Sequence, residues 1–316
     1  MTAPGADRAD RGGTSPATPP SASSAPSAPS APSAPSAPGA VRVRWLGHAT
    51  VALDVDGVRL LTDPLLRGNA GLLRRRGEAP DATHWQGADA VLVSHLHHDH
   101  AELGSLRLLP GAPVLSSPAN ARWLRAHGVD GALGLPDHVW WSVPGSDVRV
   151  RLAPAVHADR PMPHRPNSAH GFLVDAPSGR VWFAGDTAPF AAMADLPALL
   201  GGPVDLALVP VGGWGPRLSG GHMDPSQAAR ACAVVGARAA VPVHWGTLHA
   251  PVSRRLPPGW MDRAGPAFAH AAARFAPRCR VHVLTPGDQV ELTGEDAPPS
   301  DGEHRRTPRR PGHGRT

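Results

Sequence analysis

The stretch VLVSHLHHDH, Val91 to His100, places four histidines and one aspartate within six residues, directly after an apolar run. The run ADAVLVS, Ala88 to Ser94, is short and continuously apolar, as in a strand covered on both faces. One histidine can be a satisfied core residue. Four of them crowded against a carboxylate at a strand end would repel one another if protonated, so the segment calls for a divalent ion that keeps them neutral. In extended backbone His95 and His97 fall on one side, and a helix starting near Asp99 turns Asp99 and His100 toward a second point nearby. Imidazole and carboxylate are the ligands of zinc and similar borderline metals. HxHxDH therefore proposes two ions, and two ions need more ligands than these four.

Candidates for further ligands stand at other strand ends: His157 in LAPAVHADR, Asp186 in VWFAGDT and His244 in AVPVHWG. The pattern around them alternates between strands and helices. VRVRWL and TVALDVDGVRLLTD read as period-2 strands turning at Asp56-Gly57. SPANARWLRAHG reads as a helix with a Ser-Pro start and a Gly stop, DPSQAARACAVVGA as an Asp-capped helix, and DRAGPAFAHAAARFA as a final amphipathic helix. DVRVRLAPAVH, GFLVDAPSGRVWFAGDT, VDLALVPVG, RAAVPVHWG and CRVHVLTPGDQVEL supply the remaining strands. Strands gathered in two halves with helices between them predict an α/β architecture of two stacked sheets with helices outside.

Composition bounds the rest. The chain has 316 residues, 41% of them apolar, enough for a real core. Residues 1–40 form a Pro/Ala/Ser-rich arm that includes APSAPSAPSAPSAP from Ala25 to Pro38, and residues 295–316 form a basic tail; neither buries enough apolar area to offset its ordering entropy. Both are expected to be disordered, leaving 41–294 as the domain that carries the chemistry. Of the net charge of +5, the last sixteen residues contribute five Arg against two acids, and the arm balances two Arg with two Asp. The body is left at about +2, too little for the electrostatic footprint of a nucleic-acid binder. The absence of Lys, Ile and Tyr makes every basic residue an arginine and points to a GC-rich genome, as in many bacteria. Two cysteines, Cys232 and Cys279, exclude a disulfide framework or a zinc ribbon by count. With no signal-peptide pattern and no span-length apolar segment, the expected location is the cytoplasm.

The succession WLGHAT, TDP, SHLHHDH, AVHADR, FAGDT, GGHMDPSQA and VPVHWGT resembles the metallo-β-lactamase superfamily, motif by motif and in order, over roughly Val41 to Glu291. Within it the chain looks closest to the branch of N-acyl-phosphatidylethanolamine phospholipases D and ascorbate-6-phosphate lactonases. The resemblance implies an αββα sandwich of two mixed sheets flanked by helices, and a dimetal hydrolase. Carried over, it gives His95, His97 and His157 one metal, Asp99, His100 and His244 the other, and Asp186 the bridging position. It implies Asp63 as the acceptor that orients the histidine loop, and Asp99 and His222 as catalytic side chains, His222 meeting the substrate beside the metals. The cofactors are two divalent ions, Zn²⁺ first, with Mn²⁺ or Fe²⁺ tolerated by the same set. Such a pair makes water acidic near neutrality and clamps the oxygens of a phosphodiester, lactone or ester undergoing cleavage.

The same residues admit plainer readings. His98 reads as a spectator, His48 in GHAT as a structural hydrogen-bonder, and His84, His127, His138, His164 and His170 as surface or loop residues. Trp140, Trp141 and Trp245 read as core, with Trp214, on a glycine-rich loop leading to His222, as the tryptophan of a substrate mouth. Arg160 and Arg165 are either receivers of an anionic substrate or a solvated loop pair. The arginine-rich stretch from Gly68 to Trp85 displays no clear apolar surface of the kind phospholipid cleavage needs. A nuclease of the same superfamily and a non-catalytic metal-binding scaffold are the competing functions.

Overall fold

The structure is a computed structural model that describes residues 39–157 and 165–293. Its strands begin at the predicted Asp56-Gly57 turn: both residues adopt positive φ, 47° and 80°, as a two-residue hairpin requires, and the flanking Val55 and Val58 pair directly. Outward from that hairpin a seven-stranded mixed sheet forms in the order Gln289–Thr293, Ala40–Gly47, Thr50–Val55, Val58–Thr62, Ala90–Leu92, Val114–Ser116 and Ala132–Gly134. Its first four strands are antiparallel and its last four, sharing Val58–Thr62, parallel.

A second seven-stranded sheet runs Arg280–Val281, Ala239–Val243, Leu206–Pro210, Gly179–Phe183, His170–Ala176, Arg149–Pro154 and Trp141–Ser142, parallel at its beginning and antiparallel at its end. A small third sheet joins Leu248–His249 to the hairpin Asn69–Ala70 and Leu73–Arg75.

Period-2 alternation explains how the first sheet serves two cores. Leu60, Leu92 and Leu115 belong to the large core cluster that also holds Phe172 and Val241 of the second sheet. Their chain neighbours Leu61, Val91 and Val114 point the other way, into a second core with Leu124 and Ala121 of the helix Pro118–Ala126. Each such buried side chain contributes roughly 1.5–3 kcal/mol. The helices Leu196–Leu200, Pro225–Val234 and Ala264–Phe275 cover the outer face of the second sheet, with Leu196, Cys232 and Phe268 fully buried. The layers are therefore helix, sheet, sheet, helix, the predicted αββα sandwich.

The predicted helix starts hold for two of these helices. Ser117 caps one by accepting from the Asn120 amide, and Asp224 with Gln227 forms a complete capping box on the other. The helix expected near Asp99 does not form. His97 to Ala101 make a turn in which the His97 carbonyl accepts from both His100 N and Ala101 N, and helix begins only at Leu103, where the Glu102 carboxylate caps Gly104 and Ser105. Cys232 and Cys279 are free thiols packed in the same core. No helix among the described residues is long and apolar enough to cross a membrane. Apart from Gly39 and Ala40, the expected arm and tail lie outside the described residues, as do Arg160 and His164.

Candidate metal centre

The strands Val58–Thr62, Ala90–Leu92, Arg149–Pro154, Gly179–Phe183, Leu206–Pro210 and Ala239–Val243 end on one side of the sandwich. The loops that follow carry Asp63, His95 to His100, His157, Asp186, Gly212 to His222 and His244. Two chain directions thus deliver their polar loops to one crevice at strand carboxyl ends. Backbone strain collects there as well. Of the five described non-glycine residues at positive φ, His48 (52°), Asp63 (32°) and His244 (63°) border this crevice. Gly185, at φ 59°, lets the Asp186 loop pass the histidine loop: a Cβ there would stand 2.8 Å from the Ser94 Cβ and from the His170 carbonyl oxygen.

His95 Nε2 lies 3.0 Å and His157 Nε2 3.1 Å from His97 Nδ1, forming a first group of converging nitrogens. In a second group His100 Nε2 and His244 Nε2 are 3.0 Å apart, Asp99 Oδ2 is 3.7 and 3.6 Å from them, and Asp186 Oδ2 is 3.2 and 3.3 Å from them. Ligands held about 2.0–2.1 Å from one tetrahedral ion stand about 3.3 Å apart, so the second group has the spacing of one coordination sphere. Asp186 Oδ2 is also 3.9 Å from His95 Nε2, and so lies between the two groups.

The outward nitrogens explain why the inward ones are bare. His244 Nδ1 donates to the Gly212 carbonyl at 3.0 Å and His157 Nδ1 to the Gly221 carbonyl at 2.8 Å. Asp63 Oδ2 accepts from His100 Nδ1 at 2.7 Å and from Ser94 Oγ at 2.6 Å, leaving Ser94 Oγ to accept from His95 Nδ1 at 2.9 Å. With their protons committed outward, these imidazoles turn lone pairs toward one another at contact distance. That arrangement is stable only around a cation. Asp186 Oδ1 is buried with no hydrogen-bond partner among the described residues, a further acceptor that an ion would satisfy.

Charge follows from this crowding. Burial by itself would raise the Asp186 and Asp99 carboxyls, but His244 and His100 beside Asp186, and His100, His244 and His48 beside Asp99, hold both well below the usual carboxylate range. Burial also opposes protonation of His100, yet Asp186, Asp99 and Asp63 outweigh it and hold His100 well above the usual histidine value. Burial, then the neighbouring His100, keeps His95 well below that value, and burial lowers His97 to about 4. In the ion-free chain a proton on His100 stands where a metal would balance the three carboxylates.

The seven expected ligands thus come together, with Asp63 behind them. His222 reaches the same place from the glycine-rich loop, its Nε2 3.1 Å from Asp186 Oδ2. Two residues absent from the expected set join it. Asn167 accepts from Leu96 N at 3.1 Å and sets its amide 3.2 Å from His97 Nε2, while His48 lies within hydrogen-bond distance of Asp99. The GHAT motif carried a signal for His48; nothing in the sequence marked Asn167.

One other expectation changes. Arg165 is buried, donating to the Leu96 and Ala101 carbonyls with its guanidinium over the Trp123 ring, so it is a fastener of the histidine loop rather than a solvated or substrate-facing residue. In the Gly68–Trp85 stretch Leu72, 89% exposed at a hairpin tip, is the one large apolar side chain left exposed among the described residues, a single side chain rather than an apolar surface. Trp245 is buried and stacks on Trp45, whereas Trp214 is 48% exposed, as read from its loop.

Comparison with known proteins places this arrangement. The β-lactamase superfamily domain matches residues 58–245. A UPF0173 metal-dependent hydrolase of Nitratidesulfovibrio vulgaris is 30% identical over 256 residues, covering 79% of this chain and 95% of its own. An uncharacterized protein of Mycobacterium tuberculosis is 31% identical over 269 residues, covering 80% of this chain and 69% of its own. Among solved structures, the metallo hydrolase Igni18 of Ignicoccus hospitalis superposes with a TM-score of 0.62 at 22% identity, over 80% of this chain and 98% of its own, a likeness of fold.

Proposed function

The chain belongs to the β-lactamase superfamily and, within it, to the UPF0173 metal-dependent hydrolases, and from that membership we propose that it is a dimetal hydrolase of phosphodiester or lactone and ester bonds. The observation that carries the reading is the pair of donor groups sharing Asp186 Oδ2. His95, His97 and His157 would hold one ion, Asp99, His100 and His244 the other, and Asp186 would lie between them. An imidazole-rich set of this kind suits zinc best, with manganese and iron tolerated. Bound there, the two ions supply Lewis acidity and a water that ionises near neutral pH.

The chain's own groups do the rest. Asp99, held ionised, is the proton acceptor at the centre. His222 stands at the mouth with Nε2 against Asp186 Oδ2 and Nδ1 3.2 Å from the Ser219 carbonyl. Burial works against its protonation, but the hydrogen bond to Asp186 raises its pKa above the usual value, so it presents a cation to charge developing on a phosphoryl or acyl oxygen. On the loop that leads to it Trp214 and Leu218 stay exposed, and a cavity of about 270 Å³ under that loop is lined by Leu218, Pro257, Trp245 and Trp260. An apolar rim next to a cationic imidazole supports a substrate with an anionic or ester centre and an apolar arm, a phospholipid-like diester or an alkyl lactone.

The test is metal analysis of the purified chain together with turnover of bis-p-nitrophenyl phosphate and of simple lactones. Two ions per chain with hydrolysis of either substrate is the expected result. Two ions with turnover of neither would overturn the assigned substrate class, and a chain that binds no ion would overturn the centre itself.

A further inference from the structure

His48 is the most tightly constrained side chain in the crevice that the metal-centre reading leaves without a task. It is fully buried, with φ at 52°. Its backbone amide donates to Thr247 Oγ1 at 2.7 Å, and its carbonyl accepts from Trp45 Nε1 and from His244 N, each at 2.8 Å. Its ring lies 4.0 Å, centroid to centroid, from the ring of His244, and its Nε2 is 2.9 Å from Asp99 Oδ2. An unfavourable backbone conformation locked by three hydrogen bonds indicates that the position of this ring matters.

The ring does not follow the ligand pattern. His95, His100, His157 and His244 each give their outward nitrogen an oxygen partner and keep the inward one bare. His48 Nδ1 has no hydrogen-bond partner among the described residues. If Nε2 were the metal-binding atom, Nδ1 would carry a buried proton with nothing to receive it, the costlier kind of unmet polar group. With the proton on Nε2, the hydrogen bond to Asp99 is made and only a lone pair is left unmet. His48 is therefore a donor to Asp99 and not an eighth ligand.

Its contacts are also one-sided. Among the described residues of the centre, the hydrogen bonds and ring contacts of His48 reach Asp99, His244 and His100, and none reaches His95, His97 or His157. We propose that His48 is a positioning residue for the second ion alone: its Nε2–H aims the Asp99 carboxylate, and its carbonyl and ring face fix His244, so that His48 decides whether the centre holds two ions or one. This rests on the dimetal reading above.

Two substitutions separate this role from bulk stability. Asparagine tolerates the left-handed backbone but is too short to reach Asp99, whereas the glutamine amide can stand where Nε2 stands. Ion-free wild type, His48→Asn and His48→Gln, each matched to wild type by circular dichroism, are titrated with Zn²⁺ by calorimetry, and Co²⁺-loaded samples are followed by their visible spectra. Wild type is expected to take two ions. H48N is expected to keep the first affinity and lose about 10- to 100-fold in the second, with a cobalt spectrum stopping at one equivalent, and H48Q is expected to recover most of the second affinity. Equal weakening of both ions in H48N, two ions bound as in wild type, or no recovery in H48Q overturns the proposal. A wild type that takes fewer than two ions overturns the dimetal reading and this inference with it. Should H48N fail to match wild type by circular dichroism, the comparison of H48Q with H48F decides on the same terms.

Discussion

Asp63→Asn changes one atom and should disable the centre from behind. The buried Asp63 carboxylate accepts three hydrogen bonds: Ser94 N on Oδ1 at 2.7 Å, and Ser94 Oγ and His100 Nδ1 on Oδ2 at 2.6 and 2.7 Å. Asparagine can keep the bond from Ser94 N, but its amide then turns a donor toward two donors. His100 relieves the clash by moving its proton to Nε2, the atom that faces His244 and Asp186. Ser94 Oγ relieves it by accepting from the new amide and donating to His95 Nδ1, which moves the His95 proton inward too. One inverted acceptor thus inverts one imidazole in each ion group. Loss of such a supporting acceptor costs about 10- to 100-fold in metal affinity, about 1.4–2.8 kcal/mol, and an unmet buried donor costs about 1–3 kcal/mol. The two ions should weaken together by about 1–3 kcal/mol each, in contrast to the one-sided loss expected at His48. Calorimetric titration of the ion-free variant with Zn²⁺, beside a thermal melt, gives the answer. Wild-type affinity for both ions in a folded D63N chain would refute the assigned proton positions and, with them, the argument that the inward nitrogens are bare.

Gly185→Ala should lower the thermal midpoint and weaken metal binding together, since its Cβ meets Ser94 and the His170 carbonyl at 2.8 Å from a left-handed φ; about 1–3 kcal/mol is expected by denaturant titration. Trp214→Ala, which removes an exposed rim side chain, should leave ions per chain unchanged and raise KM for substrates with an apolar arm more than for bis-p-nitrophenyl phosphate; equal effects on both would refute the apolar rim. Dialysis against a chelator should abolish hydrolysis and lower the melting temperature, with both restored by added Zn²⁺; free ion at 100 times its Kd stabilises by about 2.7 kcal/mol, so an unshifted melt would argue against a centre that binds only the folded chain.

What could be read from the chain alone was local. Alternation in TVALDVDGVRLLTD fixed a hairpin, because side chains two apart share a face and Asp-Gly tolerates positive φ at both turn positions. HxHxDH pointed to metal chemistry because imidazoles and a carboxylate so close together call for a cation, and the order of motifs gave the other side chains that the fold brings beside it. The expected helix at Asp99 failed because the His97 carbonyl takes two amides into a turn and Glu102 caps a helix farther on, a competition among neighbouring hydrogen bonds that residue types do not resolve.

Tertiary structure alone decided which nitrogen of each histidine is free. For His95, His100, His157 and His244 that choice is made from outside, by the Gly212 and Gly221 carbonyls and by Asp63, directly and through Ser94. A backbone carbonyl looks the same in every sequence, and these partners lie up to 64 residues from the rings they orient. The residue types of the proposed ligands are therefore written in the chain, whereas their proton positions, and the placing of His48 behind Asp99, exist only once two sheets have brought their loops to one edge.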